Sequence, residues 1–367
     1  MNGSASQGGG RTSPMPKRVW RFLARVDVAV ALLFVVLLLV ALGSCFPQLS
    51  SSTAADAGRL AVWESQVHAR YGSLTPFLRA VGAFRWFTSP PFWLSVALLA
   101  LATLVCTLNR WSGVWRRASH RPGRCPEGLF ERAPHTTQLG PPPGHERVPI
   151  VRGCLERRGF RVRSQSDGGG VCLRGDRYGW APLATLVTHL AVLLLLAGVA
   201  LSGATRWREE IEVAPDGTVG IGHGTGLAVR SEDFTVTRYA DGSVAGYQAH
   251  VTVVEGGRDA ARGSIRLNQP LTYDGVGLYL WRYAEEGSGY RLTLLAVHDP
   301  GFTPVIVAGS LLLLGLTVSF HFPHCSVQAR VEAGGALRLA GRSDRRAWDF
   351  GREFAALVEE IERAPLD

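Results

Sequence analysis

Four stretches of this 367-residue chain are continuously apolar and long enough to cross a membrane. A helix needs about 20 predominantly apolar residues to span the hydrocarbon core of a bilayer. None of the four stretches contains Asp, Glu, Lys or Arg, and each therefore predicts a transmembrane helix. We assign the spans to residues 28–46, 91–108, 181–202 and 302–322.

Residues 203–301 show a different pattern, in which short runs of β-branched and aromatic residues are separated by turn dipeptides. The dipeptides Asp216-Gly217, Asp241-Gly242, Gly256-Gly257 and Asp274-Gly275 supply residues that tolerate positive φ, as hairpin turns require. A segment of about 100 residues is long enough to bury one core. The pattern predicts an all-β antiparallel domain, either a sandwich or a barrel.

The remaining segments connect these elements. Residues 1–16 are rich in Gly and Ser, which predicts disorder. Residues 47–90 form the loop after the first span, and residues 109–180 predict a small Arg-rich domain of short strands and a helix. Residues 323–367 form a C-terminal tail. The predicted fold class is a polytopic α-helical membrane protein with four transmembrane helices and an extracytoplasmic antiparallel β domain.

The distribution of charge predicts the orientation of the spans. Residues 110–180 hold 14 Arg against 6 acidic residues, whereas residues 203–301 hold 9 Arg against 13 acidic residues. Basic loops remain on the cytoplasmic side of membranes. We expect the Arg-rich domain, the tail and both termini in the cytoplasm of a bacterium, and the β domain outside its cytoplasmic membrane. This placement explains the net charge of +9 without a nucleic-acid partner.

The six cysteines predict no disulfide chemistry. None forms a Cys-x-x-Cys pair, the β domain has none, and the others are expected as unpaired thiols in a reducing compartment. Leu42-Gly43-Ser44-Cys45 also resembles a lipoprotein cleavage site. The apolar run before Cys45 is longer than that of a typical signal peptide, which favours an uncleaved span. A lipidated Cys45 is the alternative.

One imidazole lies within a predicted span. His189 stands in the third span, where a charged group is costly, and a neutral imidazole is a good axial ligand for haem iron. A histidine hydrogen-bonded between helices is the other interpretation. His321 and His324 flank the end of the fourth span. No nucleophile paired with a base, carboxylate pair or phosphate-binding loop is apparent, so the chain is not expected to be catalytic alone.

Several motifs resemble, in order, those of the ResB (CcsB) family of cytochrome c biogenesis proteins, which belong to the system II pathway. The resemblance covers about residues 20–335. The motifs are Cys45-Phe46-Pro47-Gln48, Cys106-Thr107-Leu108-Asn109-Arg110, Asn268-Gln269-Pro270-Leu271-Thr272-Tyr273-Asp274-Gly275, Leu278-Tyr279, Asp299-Pro300-Gly301 and His324. Two features depart from the family pattern: Phe322-Pro323-His324-Cys325 after the last span, and a β domain that looks shorter than in many relatives.

The resemblance implies a function in haem delivery. Family members work with a ResC (CcsA) type membrane protein to carry haem b outward and present it to the Cys-x-x-Cys-His sites of apocytochrome c. It implies that His189 is an axial ligand of the haem iron. The position of His321 and His324 at the inner end of the fourth span makes them candidates to receive haem there, and polar residues that only mark the membrane interface are the alternative. A membrane thioredoxin-like reductant is a further expected partner. The alternative is a structural protein that docks apocytochrome or the reductant without binding haem.

Overall fold

A computed structural model describes residues 15–50, 53–54, 56–119, 125–140, 147–167, 170–287, 289–344 and 349–364. Within this part of the chain, four helices are long and apolar enough to cross a membrane, in agreement with the four predicted spans. The described residues include the α-helices α1 (Met15–Leu23), α2 (Val26–Ser44), α3 (Ala57–Tyr71), α4 (Thr75–Ala80), α5 (Pro90–Ser119), α6 (Glu127–Arg132), α7 (Arg147–Arg157), α8 (Pro182–Thr205), α9 (Phe302–His321) and α10 (Phe350–Arg363). The apolar four are α2, α5, α8 and α9.

Two helix boundaries differ from the sequence prediction. Helix α5 continues from the predicted end of its span at residue 108 to Ser119, because no proline interrupts this stretch and its single glycine costs a helix only about 1 kcal/mol. Met15 and Pro16, predicted as disordered, begin α1, while residues 1–14 lie outside the described residues. Pro is well tolerated in the first turn of a helix, where its missing N–H has no partner to lose.

The β domain consists of two antiparallel four-stranded sheets. One has the order β4-β11-β10-β9 and the other the order β5-β6-β7-β8. Both contribute side chains to one core, which includes the fully buried Val213, Val229, Val251 and Leu294. The strands are β4 (Trp207–Val213), β5 (Thr218–Gly220), β6 (Leu227–Arg238), β7 (Val244–Glu255), β8 (Arg258–Arg266), β9 (Leu271–Tyr273), β10 (Val276–Glu286) and β11 (Gly289–His298).

All four predicted turns of the β domain form, and three of them join paired strands as hairpins, whereas Asp216-Gly217 joins β4 to β5 in the other sheet. Asp216 adopts a φ of 55° and Asp274 a φ of 44°, while Gly242 has a φ of 85°. These are left-handed conformations, which Gly adopts freely and which Asp and Asn tolerate better than most residues. The Asp-Gly and Gly-Gly dipeptides therefore form turns at the positions that the sequence predicted.

A second domain is assembled from two parts of the chain that lie far apart in sequence. Its five-stranded antiparallel sheet has the order β1-β13-β12-β3-β2. We call this the two-segment domain, with segments 125–177 and 325–364. Its strands are β1 (His135–Leu139), β2 (Arg161–Asp167), β3 (Gly170–Arg177), β12 (Cys325–Glu332) and β13 (Leu337–Ser343).

The two-segment domain joins what the sequence divided into an Arg-rich domain and a tail. Strands β3 and β12 pair in the middle of the sheet, with Arg177 opposite Cys325. Helices α7 and α10 supply Leu155 and Leu357 to the same buried core. Strand β3 leads into α8 and α9 leads into β12, so these two apolar helices emerge from neighbouring strands.

The prediction that all cysteines are unpaired is wrong for two of them. Cys125 and Cys172 form a disulfide with their Cα atoms 5.9 Å apart, across a sequence separation of 47 residues. Cys172 lies on β3, on the sheet face opposite the core residue Leu173, and Cys125 precedes α6. The pairing depends on tertiary contact, which is why no local spacing revealed it.

The described residues form two compact units. One comes from residues 1–34, 97–193 and 309–367, and includes the two-segment domain. The other comes from residues 35–96 and 194–308, and includes the β domain.

Candidate functional site

A cavity of about 310 Å³ in the first unit brings two of the three predicted site histidines to one place. His189 on α8 and His324, just before β12, both line it. Thr185 and Leu186 of α8 and Arg110 of α5 contribute to the same wall. The sequence placed these two histidines in different segments, and the fold makes them neighbours of one cavity.

A hydrogen bond to the next helix orients the ring of His189. Its Nδ1 lies 3.0 Å from the Thr107 hydroxyl on α5. That hydroxyl donates its one proton to the carbonyl of Thr103, at 2.7 Å. A hydroxyl has a single proton to donate, so toward His189 it acts as an acceptor.

This arrangement selects one tautomer of a neutral His189. Nδ1 must carry the proton that it donates to Thr107, which leaves Nε2 with a lone pair. A hydrogen bond from the other ring nitrogen fixes the orientation of a metal-binding histidine and raises the basicity of the ligand atom. The ring is therefore prepared to ligate a metal through Nε2.

The close approach of α8 and α9 supports this position. A Cβ atom placed on Gly315 of α9 would lie 2.5 Å from the Thr188 hydroxyl and 3.3 Å from the Ala184 carbonyl. Only glycine fits such a distance without moving one helix. Gly315 therefore allows α9 to pack against the turn of α8 that carries His189.

His324 is held between two carboxylates. Its Nε2 lies 3.0 Å from Oδ1 of Asp176 on β3, and its Nδ1 lies 3.1 Å from Oδ2 of Asp344. Arg174 binds the other Asp176 oxygen at 3.0 Å. The side chains of His324 and Asp176 are 9% and 3% exposed, so the bond between these two residues is shielded from water. Both ring nitrogens act as donors, which only the protonated imidazole can provide.

The carboxylates set the protonation state of His324. Hydrogen bonds to Asp176 and Asp344 raise the pKa of His324 to about 9, against the opposing effect of burial. Burial alone would raise the pKa of Asp176, but hydrogen bonds from His324 and Arg174 outweigh it and lower that pKa. His324 thus contributes a positive charge to the cavity wall at neutral pH.

Two arginines add to this positive wall. Arg110 and Arg342 line the cavity with His324, and Asp344 is the one acidic residue among the lining side chains. Arginine can only donate hydrogen bonds and matches the planar geometry of carboxylates. The cavity therefore combines one neutral nitrogen ligand with donors suited to an anionic group.

His321 does not line this cavity. It lies in the last turn of α9, where its Nδ1 is 3.0 Å from the carbonyl of Thr317. Its side chain is exposed. The expected participation of His321 and His324 in haem binding stays a prediction, and the two residues stand in different surroundings.

Other family-like motif residues occupy structural positions in the second unit. The Gln48 amide donates to the carbonyls of Gly43, Phe46 and Ala83, and its oxygen accepts from the N–H of Trp86 at 3.0 Å. It therefore ties the end of α2 to the segment before α5. Ser202 donates to Asp299 at 2.5 Å, which links the last turn of α8 to the start of α9.

The structure also groups three residues whose sequence spacing indicated no site. His223 stacks on Trp207 with ring centroids 4.4 Å apart, and His298 stacks on Trp207 at 5.6 Å. His223 lies 3.3 Å from Glu209, and Nδ1 of His298 donates to the carbonyl of Gly275 at 3.0 Å. A turn and two strands bring these rings together, so no linear signal could have shown the stack.

Comparisons with known proteins agree with the resemblance carried by the motifs. Residues 26–297 match the model of the ResB-like family. The cytochrome c biogenesis protein CcsB of Synechococcus sp. is 24% identical over 70% of this chain and 55% of its own length. The cytochrome c biogenesis protein ResB of Bacillus subtilis is 23% identical over 77% of this chain and 56% of its own length.

Among solved structures, the cytochrome c heme lyase CcmF matches 68% of this chain and 42% of its own, at 15% identity and a TM-score of 0.34. That similarity is too low to carry an argument. The chain spans about half the length of the curated relatives it matches. The family match covers most of the sequence and includes three of the four apolar helices in full. The chain therefore belongs to the ResB-like family.

Proposed function

We propose that this chain is a haem-handling subunit of the system II cytochrome c synthetase. It acts with a ResC/CcsA-type membrane partner, carries haem b across the bacterial cytoplasmic membrane and delivers it to the Cys-x-x-Cys-His sites of apocytochrome c. The relatives in cyanobacteria and Bacillus subtilis are named for cytochrome c biogenesis, which supports this process. Haem is the cargo, and the synthetase activity belongs to the pair of proteins.

One observation carries the proposal. His189 stands in an apolar helix and lines a cavity, while its Nδ1–H is bound to the Thr107 hydroxyl and its Nε2 keeps a lone pair. Neutral imidazole is the commonest protein ligand of haem iron. A histidine that served only to join two helices would need no cavity beside it.

The residues around His189 fit a haem chemically. Leu186, Ala181 and Phe322 offer apolar contact to a porphyrin, and the positive Arg110 and Arg342 suit its carboxylates. The cavity, at about 310 Å³, lies at the lower end of the range for ligand sites. Its size supports a site that the membrane partner completes, including the second axial ligand of the iron.

The proposed orientation follows from charge. The Arg-rich two-segment domain faces the cytoplasm with His324 and the cavity, and the β domain, which is richer in acidic residues, faces outward. Haem would then enter at the His189 end and leave on the side of the β domain. A membrane thioredoxin-like reductant is a further proposed partner, because the β domain has no thiol to reduce apocytochrome.

The test is the absorption spectrum of haem in the complex of this chain with its membrane partner. We compare wild type with His189→Gly, and with His68→Gly as a matched control on the exposed side of α3. We expect His189→Gly to lose haem or to change its axial ligation, and added imidazole to restore the wild-type spectrum.

Imidazole rescue separates ligation from structural damage, because free imidazole replaces a lost ligand but does not repair misfolding. An unchanged haem content and spectrum in His189→Gly would reject His189 as the ligand. That result would favour the alternative function, in which this chain docks apocytochrome or the reductant while haem stays in the partner.

A further inference from the structure

Helix α1 has a basic face and an apolar face, and it comes shortly before the first apolar helix, α2. An α-helix has about 3.6 residues per turn, which separates its side chains into two groups. The basic face consists of Lys17, Arg18 and Arg21. The apolar face includes Val19, Trp20, Phe22 and Leu23. A clean division of this kind is typical of helices that lie in the plane of a membrane surface.

Three large side chains of the apolar face are exposed. The exposed fractions are 56% for Val19, 44% for Trp20 and 57% for Phe22. Adjacent exposed apolar side chains of this size mark a surface that meets a membrane or another protein. Tryptophan in particular is enriched at the boundary between lipid headgroups and acyl chains.

The fourth apolar side chain fixes the position of α1. Leu23 is buried against Ala102 and Val105 of α5, which lie in the last turns of the span predicted for residues 91–108. Two residues outside either helix separate α1 from α2, so α1 is a helix of its own beside the end of a span. If α1 extended from the membrane into water, its exposed apolar side chains would stay in water. If it lies along the membrane surface, they are buried in lipid.

The basic face of α1 is not neutralised by the described part of the chain. Asp27 is the first acidic residue of the sequence, and its carboxylate binds Arg25 at 3.1 Å. The Arg21 side chain donates to the carbonyl of Lys17 at 3.2 Å, and neither residue forms an ion pair with a described acidic side chain. Clustered basic residues next to a span attract anionic lipids.

We propose that α1 lies in the plane of the membrane surface, on the side proposed as cytoplasmic, and binds anionic phospholipid headgroups. The three exposed apolar side chains enter the boundary between headgroups and acyl chains, and the three basic side chains reach the phosphates. A protein partner would have to supply an apolar groove and carboxylates at the right spacing, whereas a bilayer offers apolar chains and phosphates all along the span. The inference depends neither on haem nor on the membrane partner, so it goes beyond the proposed function.

The test measures hydrogen exchange of the α1 amides in the full chain, reconstituted in nanodiscs of phosphatidylcholine with or without phosphatidylglycerol. We expect exchange to be at least about tenfold slower with phosphatidylglycerol, because each basic side chain near an anionic surface adds to the attraction. High salt should reduce this difference, because it screens charges at the surface. Both leaflets of the nanodisc have the same composition, so the result does not depend on the orientation of the chain.

A charge variant and a matched control locate the effect. Lys17→Gln combined with Arg21→Gln should remove most of the difference between the two lipids. Arg206→Gln combined with Arg208→Gln should keep it, since these two exposed arginines follow the apolar helix α8 and the loss of charge is the same. Phe22→Gln should speed exchange in both lipids, because it removes an apolar contact that does not depend on the headgroup.

Three results would overturn the proposal. The first is equal exchange of the α1 amides of wild type in the two kinds of nanodisc. The second is an equal loss of protection in the charge variant and its control, because the effect would then not come from the basic face of α1. The third is protection that appears only when the membrane partner is added, which would show that a protein covers this face. The haem spectrum of His189→Gly is unaffected by any of these results, so the two proposals fail separately.

Discussion

The Thr107 hydroxyl of α5 and Nδ1 of His189 on α8 lie 3.0 Å apart, and this contact sets the tautomer of the one histidine in the interior of an apolar helix. Because Thr107 also donates to the Thr103 carbonyl, its role toward the imidazole is fixed as acceptor. By accepting the proton of Nδ1, the hydroxyl leaves Nε2, the other ring nitrogen, unprotonated.

Thr107→Val should weaken haem binding while it preserves the shape of the helix interface. Valine matches threonine in size but cannot accept the Nδ1 proton, so the ring loses its orientation and its fixed tautomer. Loss of the group that holds a ligating histidine in place lowers metal affinity by about 10–100-fold. The haem content of the purified complex measures the effect. Thr103→Val is the control, because the Thr103 hydroxyl donates in the same way to a backbone carbonyl, that of Leu99 at 2.8 Å, while the hydroxyl bonded to His189 is that of Thr107. An equal loss in both variants would contradict the role assigned to Thr107.

Gly315→Leu should disturb the same site through packing. The side chain would enter the space of Thr188 and the Ala184 carbonyl, which lie 2.5 and 3.3 Å from the position of its Cβ. Overpacking of this kind costs roughly 1–3 kcal/mol and moves the helices apart. We expect lower haem content and a lower thermal unfolding midpoint. Gly309→Leu on the same helix is the matched control, since nothing lies within 4 Å of its Cβ position. Equal thermal unfolding midpoints in Gly315→Leu and Gly309→Leu would show that the close contact between α8 and α9 does not determine the stability of the protein.

The His324 network predicts a loss of stability at alkaline pH. The folded pKa of His324 is about 9, above its ordinary value of 6.5, so the stabilisation is complete below the ordinary value and disappears as pH rises through about 9. The shift corresponds to roughly 3 kcal/mol. Deprotonation leaves Asp176 and Asp344 facing a ring that can donate to only one of them. Hydrogen exchange of β3 and β12 amides should therefore accelerate between about pH 7 and about pH 10 beyond the intrinsic rate.

His324→Gln should remove this pH dependence, because glutamine does not titrate. It should also be less stable than wild type at neutral pH, where the wild-type ring is charged and bonded on both sides. His321→Gln is the control, an exposed histidine at the end of α9. The hydrogen-exchange protection of the β3 and β12 amides of wild type could instead stay constant across this pH range. That result would show that His324 is not held as an imidazolium.

The sequence predicted those features of the fold that depend on local chemistry. The four apolar helices follow from runs of uncharged residues, and the turns at Asp216 and Asp274 follow from residues that tolerate positive φ. His189 was identified because a polar side chain in an apolar run is conspicuous. Each of these signals lies within a few residues of the feature that it predicts.

Features that depend on distant partners were missed for the same reason. Strand β3 is separated in sequence from its neighbour β12 by two apolar helices and the entire β domain. No local sequence pattern therefore indicates that Arg177 lies opposite Cys325. The stack of His223 and His298 on Trp207 likewise joins three separate elements. The sequence could name His324 as a residue near the end of a span, but not Asp176 as its partner, because that contact exists only once the sheet has formed.

Cys125 and Cys172 allow a prediction about both stability and location. The bond closes a loop of 47 residues between the segment before α6 and strand β3. Cross-links of this kind typically stabilise a domain by about 2–4 kcal/mol. Cys125→Ser should therefore lower the unfolding midpoint of the oxidised protein, and a reducing agent should lower that of wild type by a similar amount but leave Cys125→Ser unchanged. Cys45→Ser is the control, because Cys45 is an exposed free cysteine.

Thiol trapping in intact cells reports the compartment of Cys125 and Cys172, since cytoplasmic thiols are kept reduced and disulfides persist outside. With the proposed orientation, the pair should be trapped as two thiols in growing cells and oxidise after extraction in air. A pair already oxidised in growing cells would contradict the cytoplasmic placement of the two-segment domain.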